Sequence, residues 1–393
     1  MSGLPREVLR GRLHALGFDV VRFASAAAPG DPGLRDWLAA AHHADMDWLV
    51  RTADLRLDPQ LVLPGVQTVI VLGVNYWPGA TIGGEPFARY ALHSDYHDTI
   101  KPGLVAAGRV LEELGGLGAT DYRYYVDAGP VQERGWAAAA GVGFRGKNGN
   151  LISREFGNWM LLAAILVRAA VPADAPLAAQ ATGRTGLHCG KCRRCLDACP
   201  TAAFPAPGVV DARRCISYHT IENRGFVPRE LRAAFGARVF GCDECLAVCP
   251  WNRFAQAGRS ALLARRHDLA ALGLLELLRL TPERYRELFK GTAMKRTKLT
   301  GLLRNACIAA GNVWGPGGAG PARERAEVSA ELLRLVRHES PVVRGHAVWA
   351  VWRVLGAAAG AAALAASRTG ESDPAVIDEY DAGPGAPAEP PAG

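Results

Sequence analysis

Eight of the nine cysteines lie within 61 residues of the chain, and their thiols are its most conspicuous candidates for chemistry. The first run has the spacing C-x2-C-x2-C-x3-C-P and consists of Cys189, Cys192, Cys195 and Cys199, followed by Pro200. In this spacing three thiolates wrap one face of an iron–sulfur cubane while the fourth reaches a different cluster. The first run therefore predicts one [4Fe–4S] cluster and part of a second.

A shorter run and one isolated cysteine complete the number that two [4Fe–4S] clusters require. They are Cys242, Cys245 and Cys249, in the spacing C-x2-C-x3-C-P, and Cys215. If the fourth cysteine of each run crosses over, as in bacterial two-cluster ferredoxins, one cluster takes Cys189, Cys192, Cys195 and Cys249, and the other takes Cys199, Cys215, Cys242 and Cys245. Paired zinc sites are the alternative, which the C-x3-C-P endings disfavour. The ninth cysteine, Cys307, is predicted to be an ordinary buried thiol.

One carboxyl group stands out as a candidate acid. Asp127 ends an apolar, aromatic run and precedes Ala-Gly-Pro, so its side chain is predicted to project from a strand end into a cleft. General acids are often placed at such positions. An Asx turn that caps the strand is the alternative role.

A basic segment over residues 290–298 is the candidate contact for a polyanion. Its cations, together with one in the helix that follows, are Lys295, Arg296, Lys298 and Arg304. Cations and glycine before a helix can grip a folded RNA through its phosphates and shape, although a solvated helix face gives the same pattern. The net charge agrees with the first role: it is +7 for the chain, and residues 370–393 hold six acids and no Lys or Arg, which leaves +13 on the rest.

Three domains are expected to position these groups. Residues 1–170 alternate helical and β-rich stretches, with strands predicted over residues 18–23, 66–76, 123–127 and 159–167, which favours an α+β or α/β sheet covered by helices. A Pro- and Ala-rich linker, residues 171–186, precedes the ferredoxin-like module of residues 187–255. The pattern of residues 256–368 predicts paired helices, among them one over residues 262–280, as is typical of a HEAT-type all-α domain. The acidic tail, residues 369–393, is predicted to be disordered.

The composition and the N-terminal sequence indicate the cellular compartment in which we expect the chain. Of 393 residues, 49% are apolar and 21% are charged, and no apolar run approaches the ~20 residues of a membrane span. The N-terminus has neither an uninterrupted apolar core nor a small-residue cleavage site. We therefore expect a cytoplasmic chain without a membrane partner, in a reducing compartment where clustered thiols bind metal.

Several motifs together resemble one family, epoxyqueuosine reductase. They are Asp95-Tyr96-His97, VDAGPVQER over residues 126–134, GVGFRGKN over residues 141–148, SYHTIE over residues 217–222, and the double cluster module with its C-P-W-N ending. The resemblance extends from the N-terminus to about residue 355. It implies a cobalamin-dependent iron–sulfur enzyme that reduces epoxyqueuosine to queuosine at the wobble position of tRNA, the last step of queuosine synthesis. It also implies a cobalamin-binding catalytic domain and a HEAT-like C-terminus.

The resemblance assigns roles to individual residues. Asp127 would protonate the departing epoxide oxygen, and the residues that would contact cobalamin or substrate are Arg56, Asp95, Tyr96, His97, Asp127, Lys147, Asn148, Ser217 and Tyr218. The tRNA would bind at Lys295, Arg296, Lys298 and Arg304. An external electron donor is required, and a monomer is expected. The alternatives are a related corrinoid reductase that acts on a small molecule and a non-catalytic electron carrier.

Overall fold

The computed structural model describes residues 4–27, 33–77, 86–177, 185–258 and 262–384. The strands are β1 (Val20–Ser25), β2 (Thr68–Asn75), β3 (Tyr122–Tyr125), β4 (Gly143–Arg145), β5 (Leu151–Ser153) and β6 (Met160–Val167). The helices of the same part of the chain are α1 (Arg6–Ala15), α2 (Gly33–Ala39), α3 (Asp47–Arg51), α4 (Ala53–Leu57), α5 (Pro59–Val62), α6 (Tyr96–Gly115) and α7 (Glu133–Ala139).

A four-stranded antiparallel sheet in the order β1-β2-β6-β3 forms the centre of this part. Strand β2 is buried along its whole length, as its unbroken apolar sequence predicts. Alternate residues of β2 enter different cores: Ile70 and Leu72 pack with α1 and α6, whereas Val69 and Val71 pack with α7. The sheet is thus covered by helices on both faces, and Asp127 lies just beyond the end of β3.

The cysteine segment folds into short helical turns between loops. These are α8 (Arg194–Asp197), α9 (Ile216–Ile221), α10 (Arg229–Arg232) and α11 (Glu244–Ala247). Helices α8 and α11 occupy the same place in the two cysteine runs, each four residues long and each ending before a C-P pair. They contact each other, so the two runs lie side by side.

The remainder of the chain is helical. Its helices are α12 (His267–Ala270), α13 (Leu274–Leu278), α14 (Pro282–Phe289), α15 (Lys298–Val313), α16 (Arg325–Leu335), α17 (Pro341–Leu355), α18 (Ala357–Arg368) and α19 (Pro374–Ala382). The single helix expected over residues 262–280 is wrong, because the chain breaks at Gly273 between α12 and α13. The core of these helices also takes in Ile216, Val227 and Phe235, so packing is continuous with the cysteine segment. Within the described ranges, none of the helices combines the length and apolar composition needed to cross a bilayer.

The prediction of a disordered tail over residues 369–393 is wrong for α19. Asp373 caps this helix by accepting hydrogen bonds from the Ala375 and Val376 amides, and Pro374 occupies its first turn. Val376 and Tyr380 are buried against the helical core. The acidic residues of this segment pair with arginines instead of repelling one another, which the composition alone did not show. Residues 385–393 lie outside the described residues.

Candidate active site

The eight clustered thiols form two sets. Cys189, Cys192, Cys195 and Cys249 line one cavity of about 150 Å³, together with Pro250 and Trp251. We call these four cysteines the outer set. Burial, with a contribution from the neighbouring thiols Cys189, Cys249 and Cys192, raises the pKa of Cys195 to about 11. The structure therefore brings together the residues that crossing over predicts for the first cluster.

The other four cysteines, which we call the inner set, are Cys199, Cys215, Cys242 and Cys245. Burial raises the pKa of Cys245 well above its usual range, and the thiols of Cys215, Cys242 and Cys199 add to the shift. Cys195 of the outer set adds to it as well, so the two sets are neighbours. Thiolate ligation to a cationic cluster would offset this electrostatic cost.

Two predicted cobalamin contacts, Lys147 and Asn148, lie beside the cysteine loops instead. The Lys147 ammonium donates to the carbonyl oxygens of Gly190 and Cys192, at 2.7 and 3.0 Å. The buried Asn148 amide donates to Asn158 at 2.9 Å. Lys147 and Asn148 both line the outer-set cavity. Their polar groups therefore hold the loops of the cluster module, and their contact with a corrinoid stays a prediction.

The glycines of residues 141–149 likewise pack against the chain itself. A Cβ atom on Gly141, where φ is +74°, would lie 2.3 Å from the Ala175 carbonyl oxygen, and one on Gly143 would lie 2.3 Å from that of Ile152. The glycine-rich sequence thus permits close backbone packing within the protein. A cofactor is not needed to explain it.

We use the term Asp127 recess for Asp127, the residues Tyr96 and His97 that contact it, Asp95, which contacts His97, and the ionisable residues Glu133 and Arg56, on which the charge of Asp127 acts. The Asp127 backbone has φ of +57°, a left-handed conformation uncommon for a residue with a side chain. Many protein atoms lie near the Asp127 side chain, but its surface is still 65% exposed to solvent. The Tyr96 hydroxyl donates to Oδ2, and His97 Nε2 lies 3.6 Å from the same oxygen. Oδ1 has no hydrogen bond among the described residues and is available to a ligand.

A line of alternating charges leads from Asp127 to the helical part of the chain. His97 Nδ1 lies 2.8 Å from Asp95 Oδ1, and the Lys295 ammonium lies 3.0 Å from Asp95 Oδ2. Asp95 is nearly fully buried and also caps α6 by accepting a hydrogen bond from the His97 amide. The DYH motif therefore contributes all three side chains to one network around Asp127.

This network sets the protonation of the recess. Burial disfavours the charged form of His97, but the nearby Asp127 carboxylate and the hydrogen bond with Asp95 outweigh it and raise the pKa of His97 to about 9. Burial favours the neutral form of Asp127, yet the nearby His97 imidazolium and the hydrogen bond from Tyr96 outweigh it and lower the Asp127 pKa. At neutral pH the pair is therefore an imidazolium beside a carboxylate, and the mobile proton resides on His97.

Glu133 is a wall residue of the recess that the sequence reasoning did not identify. Its Oε1 is buried without a hydrogen-bond partner, and burial, followed by the charge of Asp127, raises its pKa to about 7. The predicted contact Arg56 lies nearby: its Nη1 donates to the Val131 carbonyl at 3.2 Å, and the charges of Glu133 and Asp127 act on it. The signal was present, because Glu133 belongs to the same VDAGPVQER motif as Asp127.

Of the two remaining predicted contacts, Ser217 bonds the inner set and Tyr218 bonds the N-terminal part of the chain. The Ser217 hydroxyl donates to the Cys242 carbonyl at 3.5 Å, and the Tyr218 hydroxyl donates to Asp45 Oδ1 at 2.5 Å. Tyr90 packs edge-on against Tyr96, with ring centroids 6.0 Å apart, and its neighbour Arg89 bonds Asp243, the residue after Cys242. The inner set is thus the one that adjoins the Asp127 recess.

The four predicted RNA contacts separate into two groups. Lys295, Arg296 and Lys298 are exposed, with Arg296 paired to Glu222 at 2.8 Å and stacked over Trp48. Arg304 is fully buried and donates to the carbonyl oxygens of His219, Asn223 and Gly225. Its assignment to tRNA is therefore wrong: burial lowers its pKa to about 9, and it joins α15 to the cysteine segment.

Two family models and several known proteins match this chain. A family model described as "Epoxyqueuosine reductase QueG" matches residues 56–128, and one described as "4Fe-4S double cluster binding domain" matches residues 188–252. The epoxyqueuosine reductase of Burkholderia pseudomallei is 38% identical over 366 residues, which cover 86% of this chain and 89% of that protein. The Escherichia coli enzyme is 34% identical over 346 residues, 86% of each chain.

Solved structures agree over nearly the whole length. A crystal structure of epoxyqueuosine reductase with an epoxyqueuosine-modified tyrosine tRNA stem loop has a TM-score of 0.80 and 26% identity, and covers 95% of this chain and 96% of that one. A Bacillus subtilis epoxyqueuosine reductase has a TM-score of 0.76 and 25% identity, with coverage of 95% and 96%. In that structure the loop of a catalytic aspartate is swung out of the active site. The cluster-module match replaces the zinc alternative with iron–sulfur ligation.

Proposed function

The chain belongs to the epoxyqueuosine reductase family, and we propose on that basis that it removes the epoxide oxygen of epoxyqueuosine at the wobble position of tRNA with cobalamin bound in the Asp127 recess. The observation that carries the proposal is the Asp127 carboxylate, open to a ligand, with a proton held on His97 and the inner thiol set alongside. An oxidoreductase needs both an electron path and a proton source at the reacting atom. Here the two meet.

The residues of the recess fit a large ligand with amide groups around its rim. Glu133 Oε1 and Asp127 Oδ1 are hydrogen-bond acceptors without partners among the described residues, and Arg56 supplies a half-buried cation. We propose that these groups, together with Tyr96, His97, Ser217 and Tyr218, hold cobalamin and the modified base. When bound, cobalamin supplies a low-valent cobalt that passes electrons to the epoxide carbon.

The chain's own residues supply the protons. Conversion of the epoxide to the alkene takes up two electrons and two protons and releases the oxygen as water, so both protons reach the same oxygen. We propose that His97 Nε2 protonates the Asp127 carboxylate before each transfer, that Asp127 passes each proton to that oxygen, and that solvent water reprotonates His97 between the two transfers. Tyr96 fixes the carboxyl orientation through Oδ2, which leaves Oδ1 for the substrate.

We propose that RNA is held by the exposed cations Lys295, Arg296 and Lys298. They adjoin the recess, because Lys295 bonds Asp95 and the charge of Asp127 acts on Arg296. Phosphate contacts by such cations position a folded RNA without reading its sequence. The anticodon loop would then lie over Asp127.

We also propose the finer architecture that the motifs suggested. The α16–α17 pair, with Pro341 in the first turn of α17, supports a HEAT-like arrangement. A recess built from one chain supports a monomer, and a tRNA substrate supports action in the cytoplasm. Residues 1–170, 187–255 and 256–368 remain our proposed domains, with 171–186 as the linker.

The proposal is tested with anaerobically reconstituted protein whose iron content is verified. Reduced protein is incubated with an epoxyqueuosine-containing stem loop, with and without cobalamin, and the nucleosides are analysed by mass spectrometry. We expect queuosine, lighter by one oxygen atom, only when cobalamin is present. Formation of queuosine at the same rate without cobalamin would contradict the cofactor assignment, and absence of queuosine in both samples would contradict the function.

A further inference from the structure

A basic surface with apolar side chains covers the loops that hold the outer thiol set. Its cations are Lys191, Arg193, Arg194 and Arg253, all exposed. Its exposed apolar side chains are Leu187 and Phe254, at 41% and 40% exposure. Every one of these residues lies within five positions of an outer-set cysteine. We call this surface the outer-cluster face.

The positive charge of this face is largely unopposed. Arg193 pairs with Asp197 at 3.3 Å, but both side chains are mostly exposed, so the pair is weak. Among the described residues, Lys191, Arg194 and Arg253 form no ion pair; the Arg253 guanidinium lies over the Phe254 ring, 4.6 Å from its centroid. The face therefore presents cations around an apolar centre.

The two thiol sets have different surroundings. Arg89, which bonds Asp243, and its neighbour Tyr90, which packs against Tyr96, connect the inner set with the Asp127 recess. The loop of the outer set instead exposes Gly190 and Lys191. Trp251, which lines the outer-set cavity, is followed two residues later by Arg253. Electrons must therefore enter at the outer set to reach the recess by way of the inner set.

We propose that the outer-cluster face is the docking site of an acidic single-electron carrier protein. Redox partners form small, short-lived interfaces in which opposite charges steer the encounter and apolar contacts bring the two cofactors close. In each encounter the reduced carrier loses one electron and the outer cluster gains one, with no bond made or broken. Two encounters supply the two electrons that removal of the epoxide oxygen requires. This inference rests on the two-cluster part of the proposed function.

RNA is the other polyanion that a basic face could bind. We favour the carrier because the wobble base must reach Asp127, and the cations that adjoin that recess belong to the separate segment of residues 290–298. The experiment distinguishes the two occupants.

The test measures reduction of the clusters, not formation of queuosine. Full-length protein with verified clusters is mixed in a stopped-flow instrument with an acidic flavodoxin in its reduced form, and the bleaching of cluster absorbance gives a second-order rate constant. The variants are Lys191→Glu, Arg194→Glu, Arg253→Glu and the triple variant, with Lys191→Gln and Arg194→Gln as milder changes. Reduced methyl viologen, a small cation that needs no docking site, is the second reductant.

We expect the triple variant to slow reduction by flavodoxin at least about tenfold at low salt, and the wild-type rate to fall as salt is raised. Reduction by viologen should not slow in any variant. Arg323→Glu, which makes the same charge change at a position 86% exposed in the helical part, should match the wild type with both reductants.

Wild-type rates of flavodoxin oxidation by the triple variant would overturn the proposal. If the triple variant instead binds the stem loop at least tenfold more weakly while its flavodoxin rate is unchanged, the face binds RNA and the proposal is also wrong. Slower reduction by viologen as well would show that the cluster itself, and not docking, had been altered. That result would remove the support for a docking site.

Discussion

At the scale of single residues, the central feature is an aspartate that must deliver two protons although its own pKa is lowered. An isolated carboxylate in this state would be a poor acid at neutral pH. His97, with its pKa raised to about 9, compensates because it holds a proton 3.6 Å from Asp127 Oδ2. The acid of this site is therefore a pair of residues.

The pair predicts a specific pH dependence. The active form needs protonated His97, so the single-turnover rate of queuosine formation should be constant at neutral pH and fall as pH rises through about 9. Asp95→Asn removes the charge at Nδ1 that helps raise the His97 pKa, and should move this alkaline fall to lower pH. The measurement is the rate of nucleoside conversion against pH for the wild type and both Asp95→Asn and His97→Gln.

In His97→Gln the fall near pH 9 should disappear and the rate at neutral pH should drop by about 100-fold, the usual contribution of a positioned acid. Cluster absorbance serves as the control and should match the wild type. A wild-type pH profile in His97→Gln would exclude this residue as the proton source.

The residues that sequence could and could not predict differ in a physical way. Ligand spacing is local, so the cysteines and the DYH motif were readable, and the structure brings each of these groups together. Arg304 was misassigned because the partner of a polar side chain depends on distant backbone: it bonds carbonyl groups about 80 residues away in sequence. Composition shows that a cation is present but not whether it is buried.

At the scale of elements, α15 carries one basic residue that is proposed to bind RNA, Lys298, and one that stabilises the fold, Arg304. Lys298 lies at the start of α15 with φ of +61°, exposed, whereas Arg304 is buried one to two turns further along the same helix. One basic stretch thus presents cations to solvent at its beginning and fastens the helix to the cysteine segment further on.

Substitutions at these two positions should change different properties: RNA affinity at Lys298 and thermal stability at Arg304. Lys298→Glu should weaken stem-loop binding about tenfold at low salt and reduce the salt dependence by roughly one counterion, without changing the apparent Tm. Arg304→Met should lower the apparent Tm, because it leaves buried carbonyl groups unpaired, while folded protein keeps its RNA affinity. Binding titrations at several salt concentrations and thermal melts measure the two effects. Loss of affinity without loss of Tm in Arg304→Met would contradict its structural role.

The α19 helix was unpredictable from composition because its acidic residues suggested repulsion. In the structure, Glu379 pairs with Arg232 at 2.6 Å, with the two side chains 5% and 2% exposed. The same helix carries Asp378, which pairs with Arg229 but is 72% exposed. Burial, not charge, distinguishes these two ion pairs.

Breaking the buried pair should cost far more than breaking the exposed one. Glu379→Gln should destabilise the protein by about 3–5 kcal/mol, because it leaves a buried guanidinium without its counter-charge, and should lower the apparent Tm by several degrees. Asp378→Asn is the matched control on the same helix and should change stability by less than about 1 kcal/mol. Equal shifts in thermal melts of the two variants would mean that α19 does not pack as described.

At the scale of the whole molecule, the fold places three functions in sequence: an outer cluster face, an inner thiol set, and a recess with its acid. The cysteine segment was recognisable in the sequence because it interrupts two differently patterned regions, and the division into three domains stays a prediction. The continuous core between the cysteine segment and the helices was not predictable, since Ile216 and Phe235 meet α15–α17 only through tertiary packing. This packing holds the inner set and the recess in a fixed relation.

The central claim is that one epoxide receives both electrons from the clusters, delivered to its carbon, and protons from Asp127, delivered to its oxygen. It is tested most directly by mixing cobalamin-loaded, fully reduced protein with the epoxyqueuosine stem loop and following cluster reoxidation and queuosine formation together, in the wild type and in Asp127→Asn. We predict one queuosine for every two electrons lost in the wild type. In Asp127→Asn the clusters should stay reduced and queuosine should form at least about 100-fold more slowly. Queuosine formation by Asp127→Asn at the wild-type rate would contradict the account.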